Sequence, residues 1–572
     1  MATTIAENII DTLADQGVTH IWGVVGDALN PVVDAIRTEE RIEWIGVRHE
    51  EVAAFAASAQ AQLTDNIAVC MGTVGPGAIH LLNGLYDAKK AHAPVLAIVG
   101  QVPTESIGSA FFQEVHNDRV FADVACYTGT VTDAGQMPGM LAQALNAAVS
   151  QRGVAVLSLP ANMGLEELPS YVKPVPIAPR SVEAAAADSD IAEAAQLLNN
   201  SDKVTLMVGK GARAARTECL ELADKLAAPM VITLQGKEGL EHDNEFQVGQ
   251  TGLIGNPAAV GALKSCDTLM LIGTDFPYSE WLPDDKTVIQ LDIVPEHIGR
   301  RVAVDRALIG HAAPTLAKLI TQVTAKEDRG HLETHTKEYA AWLKGQHKLA
   351  DPAHDHTLVG KVRSLADNPE GKIRPEAVAV ALDKVCADDA IFAADTGMST
   401  VWLARLLPMR HNRRLLGSFN LGSMANAMPM ALAAQAEDRN RQVIGMCGDG
   451  GLMMLLGDLR TAVTYDLPVT LVVFNNSRLG MVKLEQEEMG LPEYGTELDN
   501  PSFAKVGEAM GLTSMRVTEP EDLEGVLAKA VATNEPVLVE VMTNPEEVAV
   551  PGRTDAGQVF GFAKAKAKEI LD

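Results

Sequence analysis

Val-Ile-Gly-Met-Cys-Gly-Asp-Gly-Gly at 443–451, followed at 468–476 by Pro-Val-Thr-Leu-Val-Val-Phe-Asn-Asn, is the stretch on which the fold turns. Each half is a short, near-continuous apolar run ending in small or polar residues. That is the pattern of a strand covered on both faces of a parallel sheet. As adjacent parallel strands, the two runs bring Gly448-Asp449-Gly450-Gly451 and Asn475-Asn476 to one sheet edge, where open α/β sheets bind ligands. There Asp449 and Asn476 offer hard oxygen ligands, and the glycines let backbone N–H groups approach a diphosphate. Mg²⁺ suits such a place, because it takes few protein oxygens together with phosphate oxygens. The structural alternative is a plain turn with a capping Asp.

The same pattern recurs outward. Apolar runs at 20–26, 66–72 and 94–100 alternate with Ala-rich helical stretches, and others follow at 204–209, 229–234, 268–273, 287–293, 390–395 and 536–542. Strands alternating with helices predict an α/β chain of three doubly wound parallel-sheet domains. The expected divisions are 1–180, 183–340 and 360–550, with a short C-terminal tail at 551–572. A Pro-rich, then acidic, linker at 171–190 separates the first two, and a polar stretch at 324–358 leads to the third. Ile5, Ile9, Ile10 and Leu13 mark one face of an opening helix. Pro375, after Arg374, is expected at the start of another.

The chain's 572 residues predict about three to four domains. Lys and Arg number 47 against 75 Asp and Glu, a formal net charge of −28. That acidity argues against nucleic acid as a partner, and against anionic membranes without a local basic patch. Six cysteines are scattered without CxxC or zinc spacing, as buried thiols in a reducing cytoplasm would be. The N-terminus has no basic then apolar leader pattern, and no apolar run reaches membrane-spanning length.

In the second block, Gly209-Lys210-Gly211-Ala212-Arg213-Ala214 is a strand-to-helix GxGxxA turn, a weak dinucleotide signal when alone. NAD requires an acid after the next strand, which instead ends in Gln235-Gly236. Another nucleotide cofactor, or plain βα turns, remain open there.

The GDG…NN pattern resembles the diphosphate-binding motif of thiamine-diphosphate enzymes. The segment from Arg48-His49-Glu50-Glu51 to residue 57 is similar to the family segment whose glutamate hydrogen-bonds the aminopyrimidine, and Glu50 stands at that position. By itself Glu50 is also a favourable first-turn acid of a helix. Gly26 to Asn30, Gly75-Pro76-Gly77 and Phe112-Gln113-Glu114 resemble other cofactor-site segments. The likeness covers the chain in order, apart from the tail. It implies the three-domain fold, with pyrimidine-binding, FAD-binding and diphosphate-binding domains.

Residues 107–114, 273–278, 417–429 and 475–481 look like bacterial pyruvate:quinone oxidoreductase, the pyruvate oxidase family. The resemblance implies oxidative decarboxylation of pyruvate to acetate and CO₂, with electrons passing through FAD to a quinone. It implies FAD contacts at Gly209, Gly211, Arg213, Gly236, Lys237, Thr251, Gly252, Gly273, Thr274, Asp275, Asp292 and Ile293. It implies thiamine-diphosphate contacts at Gly26, Asn30, Gly75, Gly77, Gly397, Met398, Met424, Gly448, Gly450 and Gly451, with Met424 bending the cofactor. Asp449, Asn476 and the Arg478 carbonyl would hold Mg²⁺. Glu50, Phe112, Gln113 and Glu485 would be the catalytic residues. Leu421 stands where quinone-dependent relatives carry histidine, and His311 where most carry aspartate. An active site shared between subunits makes a homodimer the minimum and a homotetramer the expectation. The sibling readings are an acetolactate-synthase-like carboligase and an oxygen-dependent pyruvate oxidase. In the tail, Lys564, Lys566 and Lys568 spread over several helix faces, so a cytoplasmic protein with at most weak, peripheral contact at the inner face of the membrane is expected.

Overall fold

A computed structural model of the chain describes residues 3–172, 177, 183–355, 357 and 368–546. The expected tail at 551–572 and most of the Pro-rich part of the linker lie outside them. The described strands pair in parallel throughout, in three sheets. The first contains β1 (His20–Gly23), β2 (Glu43–Gly46), β3 (Ala68–Gly72), β4 (Val95–Gln101), β5 (Ala125–Thr130) and β6 (Val154–Pro160). The middle one contains β7 (Val204–Val208), β8 (Met230–Ile232), β9 (Thr268–Ile272), β10 (Thr287–Asp292) and β11 (Arg306–Ile309). The last contains β12 (Ile391–Ala394), β13 (Arg414–Gly417), β14 (Val443–Gly448), β15 (Thr470–Asn475), β16 (Thr513–Val517) and β17 (Val537–Met542). The chain thus has the three doubly wound α/β domains that the strand pattern implies.

The strand orders are β2-β1-β3-β4-β6-β5, β11-β10-β9-β7-β8 and β13-β12-β14-β15-β17-β16. Counted within each sheet, the first and third orders are the same, a repeat of topology that no repeat of sequence announces. The middle sheet, read from its other end, follows that order through its first four strands. In every sheet the order reverses between the first strand and the third, leaving a crevice at their C-terminal ends. The chain therefore has three such crevices, after β1/β3, β7/β9 and β12/β14.

The helix Glu50–Thr64 starts where the His49 side chain accepts the Glu51 N–H, with two acids in its first turn. Its small residues are buried almost all round. One side packs on the first sheet, and another meets the helix Ala427–Glu437, also rich in Ala and equally buried. One apolar cluster accordingly runs through the first and third domains, from Trp22 and Phe55 to Met430 and Leu471. Polar ties reinforce it: Gly46 N–H donates to the Tyr465 hydroxyl at 2.6 Å, and Arg48 N–H to Asp458 at 2.8 Å. The middle domain has its own core on both faces of its sheet. The polar stretch after it contains the helix Gly330–Ala350, which His331 and His335 tie to Thr205 and Ser265. The opening helix Ile5–Asp15 buries Ile5, Ile9, Ile10 and Leu13, and Pro375 opens the helix Pro375–Val385.

Candidate active site

β14 and β15 are neighbours in register from Ile444/Thr470 to Gly448/Phe474, so the Gly-Asp-Gly-Gly turn and the Asn pair share one edge. Asp449 is buried at the start of the helix Asp449–Met454. One carboxylate oxygen accepts the Gly450 N–H at 2.9 Å; the other accepts the Ser477 N–H and the Asn500 amide, both at 2.8 Å. Burial pushes its carboxyl up to about 6, against the pull of these donors. A cation beside it would favour the ionised form. Asn476 stands half-buried, its Oδ1 accepting the Arg478 N–H at 2.9 Å. Asn475 is buried, bonded to Asn500 and to Glu540. The Arg478 guanidinium is held away by Glu493 at 2.6 Å and Glu497 at 3.0 Å.

Beneath this edge lies Asp395, which follows β12. It is buried, and its two oxygens accept the N–H groups of Ala427 at 2.9 Å and Gly448 at 3.0 Å. Burial lifts its carboxyl to about 7. A Cβ on Gly451 would fall 2.3 Å from an Asp395 oxygen, so only glycine fits there. A Cβ on Gly450 would meet the tips of Leu479, Leu498 and Met424 at 3.0–3.2 Å, which places Met424 over the turn. Gly397 has φ +139° and leads into the helix Met398–Leu406, with Met398 beside Gly480. These open backbones at the crevice fit a diphosphate with a bound divalent cation.

The first sheet presents the second half. Glu50 is buried, and its Oε2 lies 2.9 Å from His80 Nδ1, while the His49 ring stacks on His80 at 4.5 Å. Oε1 faces Gly77, where a Cβ would come within 3.0 Å of it. Gly26 lies so close to Thr73 that a Cβ would overlap it, and the buried Thr73 Oγ1 has no partner. That orphaned hydroxyl, packed against a glycine, fits a polar heterocycle. Gly75, at φ +70°, packs against Gln113, which has φ +64°. The loop is held by Glu114, whose carboxylate gathers the N–H groups of Gly108 and Phe111. Phe112 is 78% exposed, and Asn30 is exposed at the head of the helix Asn30–Thr38.

At the middle sheet a cavity of about 1340 Å³ opens over the β7/β9 crevice. Gly211, Arg213, Thr251, Gly273, Thr274, Asp275, Asp292 and Ile293 line it, as does His311, and from the third domain so do Gly397 and Met481. A Cβ on Gly209 would lie 2.5 Å from the Gly273 oxygen, so the two turns press together without side chains. Gly236 likewise abuts the Val208 carbonyl, and Gly252, at φ +82°, abuts the Phe276 ring. The buried Thr251 Oγ1 has no partner, and the space fits a dinucleotide. Lys237 does not face the cavity: its buried ammonium is 2.6 Å from Glu241, whose other oxygen accepts the Met409 N–H. Glu485 is exposed on the helix Gly480–Glu488 and adds to the rise of the Tyr278 phenol, which burial mainly causes.

Asp395, His80, Thr73 and Asn500 were not singled out by sequence reasoning. The signal for Asp395 was an acid at the end of the apolar run 390–395, and for His80 a histidine just after Gly75-Pro76-Gly77. No described hydrogen bond joins Glu50 to Asp449 or Asn476.

Three sheets with switch-point crevices, the outer two carrying a buried glutamate and a Gly-Asp-Gly-Gly turn, define a cofactor-dependent α/β enzyme class. The chain matches, in order, the thiamine pyrophosphate enzyme N-terminal TPP binding domain over residues 3–120, the central domain over 191–319 and the C-terminal TPP binding domain over 395–541. Protein YdaP of Bacillus subtilis is 38% identical over 573 residues, covering 100% of this chain and 96% of that one. The pyruvate oxidase of Lactiplantibacillus plantarum is 32% identical over 550 residues, covering 93% and 87%. An acetolactate synthase of Mycobacterium bovis is 31% identical over 577 residues, covering 96% and 89%. The chain belongs to the thiamine pyrophosphate enzyme family.

Proposed function

We propose that the protein oxidises pyruvate to acetate and CO₂, using thiamine diphosphate with Mg²⁺ and passing two electrons through FAD to a quinone. The observation that carries this reading is the cavity on the middle sheet, which reaches Gly397 and Met481 at the rim of the diphosphate crevice. A flavin lodged there would end beside the thiamine site. The likeness to a pyruvate oxidase over most of both chains supports it.

When bound, thiamine diphosphate supplies the nucleophile and electron sink for decarboxylating a 2-keto acid, and FAD accepts the electrons. Glu50 would hold a proton at Oε1 toward the pyrimidine ring, its other oxygen fixed by His80. Asp449 and Asn476 would hold Mg²⁺, with the Arg478 carbonyl, while the amides of the 448–451 turn bind the diphosphate. Asp395 fixes that turn from below, so its donors are set before the ligand arrives. Phe112, Gln113 and Glu485 would border the substrate.

The two halves of the thiamine site would meet across a dimer. Val25, Ile79, Phe111 and Phe112 are exposed around the Glu50 edge, and Met453, Met454, Val482 and Met489 near the Asp449 edge. A second copy of the chain would cover both sets, making a homodimer the minimum and a dimer of dimers the natural extension. No helix among the described residues is long and apolar enough to cross a membrane, so a lipid-borne quinone would be met at a surface.

The absorption spectrum of the purified protein before and after anaerobic pyruvate tests the reading. A flavin band that bleaches, with acetate formed on adding a quinone, is expected. Acetolactate without bleaching would mean carboligation instead, and peroxide with acetyl phosphate an oxygen-dependent oxidase.

A further inference from the structure

Lys210 has no part in the chemistry above, yet it stands at the middle crevice between Gly209 and Gly211. Its ammonium borders the cavity and donates to the Ala91 carbonyl at 2.9 Å. That carbonyl closes the helix Leu82–Lys90 of the first domain, the negative end of its dipole. Lys210 forms no ion pair with a described carboxylate. Asp65 is taken by Arg152, and Glu238 by Arg213 and Arg414. Arg213 and Arg152 face it with like charge, His92 shares its wall, and burial with these cations pushes Lys210 down to about 7. In a chain of net charge −28, a buried ammonium whose neighbouring carboxylates are already engaged, Asp65 and Glu238 by arginines and Asp87 by Ser58, in a cavity that also holds the orphaned Thr251 hydroxyl, marks a place for a further anion.

We propose that Lys210 is the anchor for the diphosphate of the flavin dinucleotide, binding it across the seam between the first and middle domains. This inference rests on the flavin reading of the cavity. Diphosphate oxygens would accept charge-assisted hydrogen bonds from Nζ while the bond to Ala91 persists, because an ammonium has three donors. Loading the cavity would then also pin the two domains together.

The test uses the full-length protein freed of flavin, with Lys210→Met and Lys210→Gln variants, and titrates FAD, ADP and riboflavin. Gln keeps an N–H donor, on a side chain one atom shorter, and removes the charge. Both variants are expected to weaken FAD and ADP by about tenfold or more, with riboflavin changed by less than about twofold. FAD should raise the melting temperature of the wild type more than that of either variant. Unchanged FAD affinity in Lys210→Gln, or an equal loss for riboflavin and FAD, would overturn the anchor while leaving the flavin reading intact. A wild-type protein that binds none of the three would overturn the flavin reading itself.

Discussion

Replacing Gly451 with Ala should strike the third domain from beneath its ligand crevice. The added Cβ would lie 2.3 Å from Asp395 Oδ2, 2.9 Å from its Cγ and 3.1 Å from the Ala425 amide nitrogen. The first of these is about 1 Å inside van der Waals contact. Asp395 has nowhere to retreat: it is 2% exposed, and its oxygens hold the Ala427 and Gly448 N–H groups. Relief costs about 1–3 kcal/mol for a buried hydrogen bond left broken, and about 1–3 kcal/mol for overpacking. A total of about 4 kcal/mol lowers the melting point of a domain this size by about 10 °C. Gly450→Ala is the control. Its Cβ would meet only side-chain tips, which can swing aside, so it should cost about 1 kcal/mol. It should nevertheless weaken thiamine diphosphate, because the methyl enters the crevice. Scanning calorimetry of the ligand-free proteins, with thiamine diphosphate titrated by fluorescence quenching, separates the two effects. If Gly451→Ala melts within about 2 °C of wild type, or Gly450→Ala melts as low as Gly451→Ala, the idea of Asp395 as an immovable base is wrong.

Glu50→Gln should lower pyruvate turnover by about a hundredfold or more with little change in melting point, as expected for loss of a positioned proton donor; near-normal turnover would remove Glu50 from the chemistry. Asp87 is buried against Ser58 at 2.7 Å, and burial lifts its carboxyl from 3.8 to about 6. Because the folded value is raised, its contribution to stability is full below about pH 4 and is lost as pH rises through 6, on the order of 3 kcal/mol. Asp87→Asn should flatten the slope of urea stability between pH 4 and 6, and an unchanged slope would show that the group does not titrate there. Glu238 joins Arg213 at 3.1 Å, Arg414 and the Leu415 N–H, so Glu238→Ala should cost about 3–5 kcal/mol. Hydrogen exchange should rise at 62–63 and 414–415 in that variant; protection as in wild type would mean that the domains do not rely on this pair. Chelating divalent cations should weaken thiamine diphosphate and leave flavin affinity alone.

Long apolar runs made the sheets legible: 443–451 and 468–476 contain strands within a residue or two of where the pattern ends. The short strands β2, β11 and β13, each opened by a charged residue, did not stand out as strands, and neither did β5, β6 and β16. Asp449 was legible because glycine, acid and glycine fall together after a strand. Asn500 was not, because it reaches Asp449 from a polar loop fifty-one positions away, and only folding makes them neighbours. Lys237 shows how folding can turn a side chain away from where its sequence neighbours point. Its neighbourhood in sequence suggested a ligand contact, but the turn after Gly236 rolls the side chain into the protein, where Glu241 waits four residues on.

Four hydrogen bonds at the seam around the first domain share an evolutionary asymmetry. At that boundary Arg414 donates to the carbonyls of Gln62 and Leu63, Asn420 to that of Lys90, and Lys210 to that of Ala91. The acceptors are all backbone, which every amino acid provides, whereas the donors are particular side chains of the other two domains. Side chains at 62, 63, 90 and 91 can therefore drift without breaking these joints, while a change at 210, 414 or 420 breaks one at once.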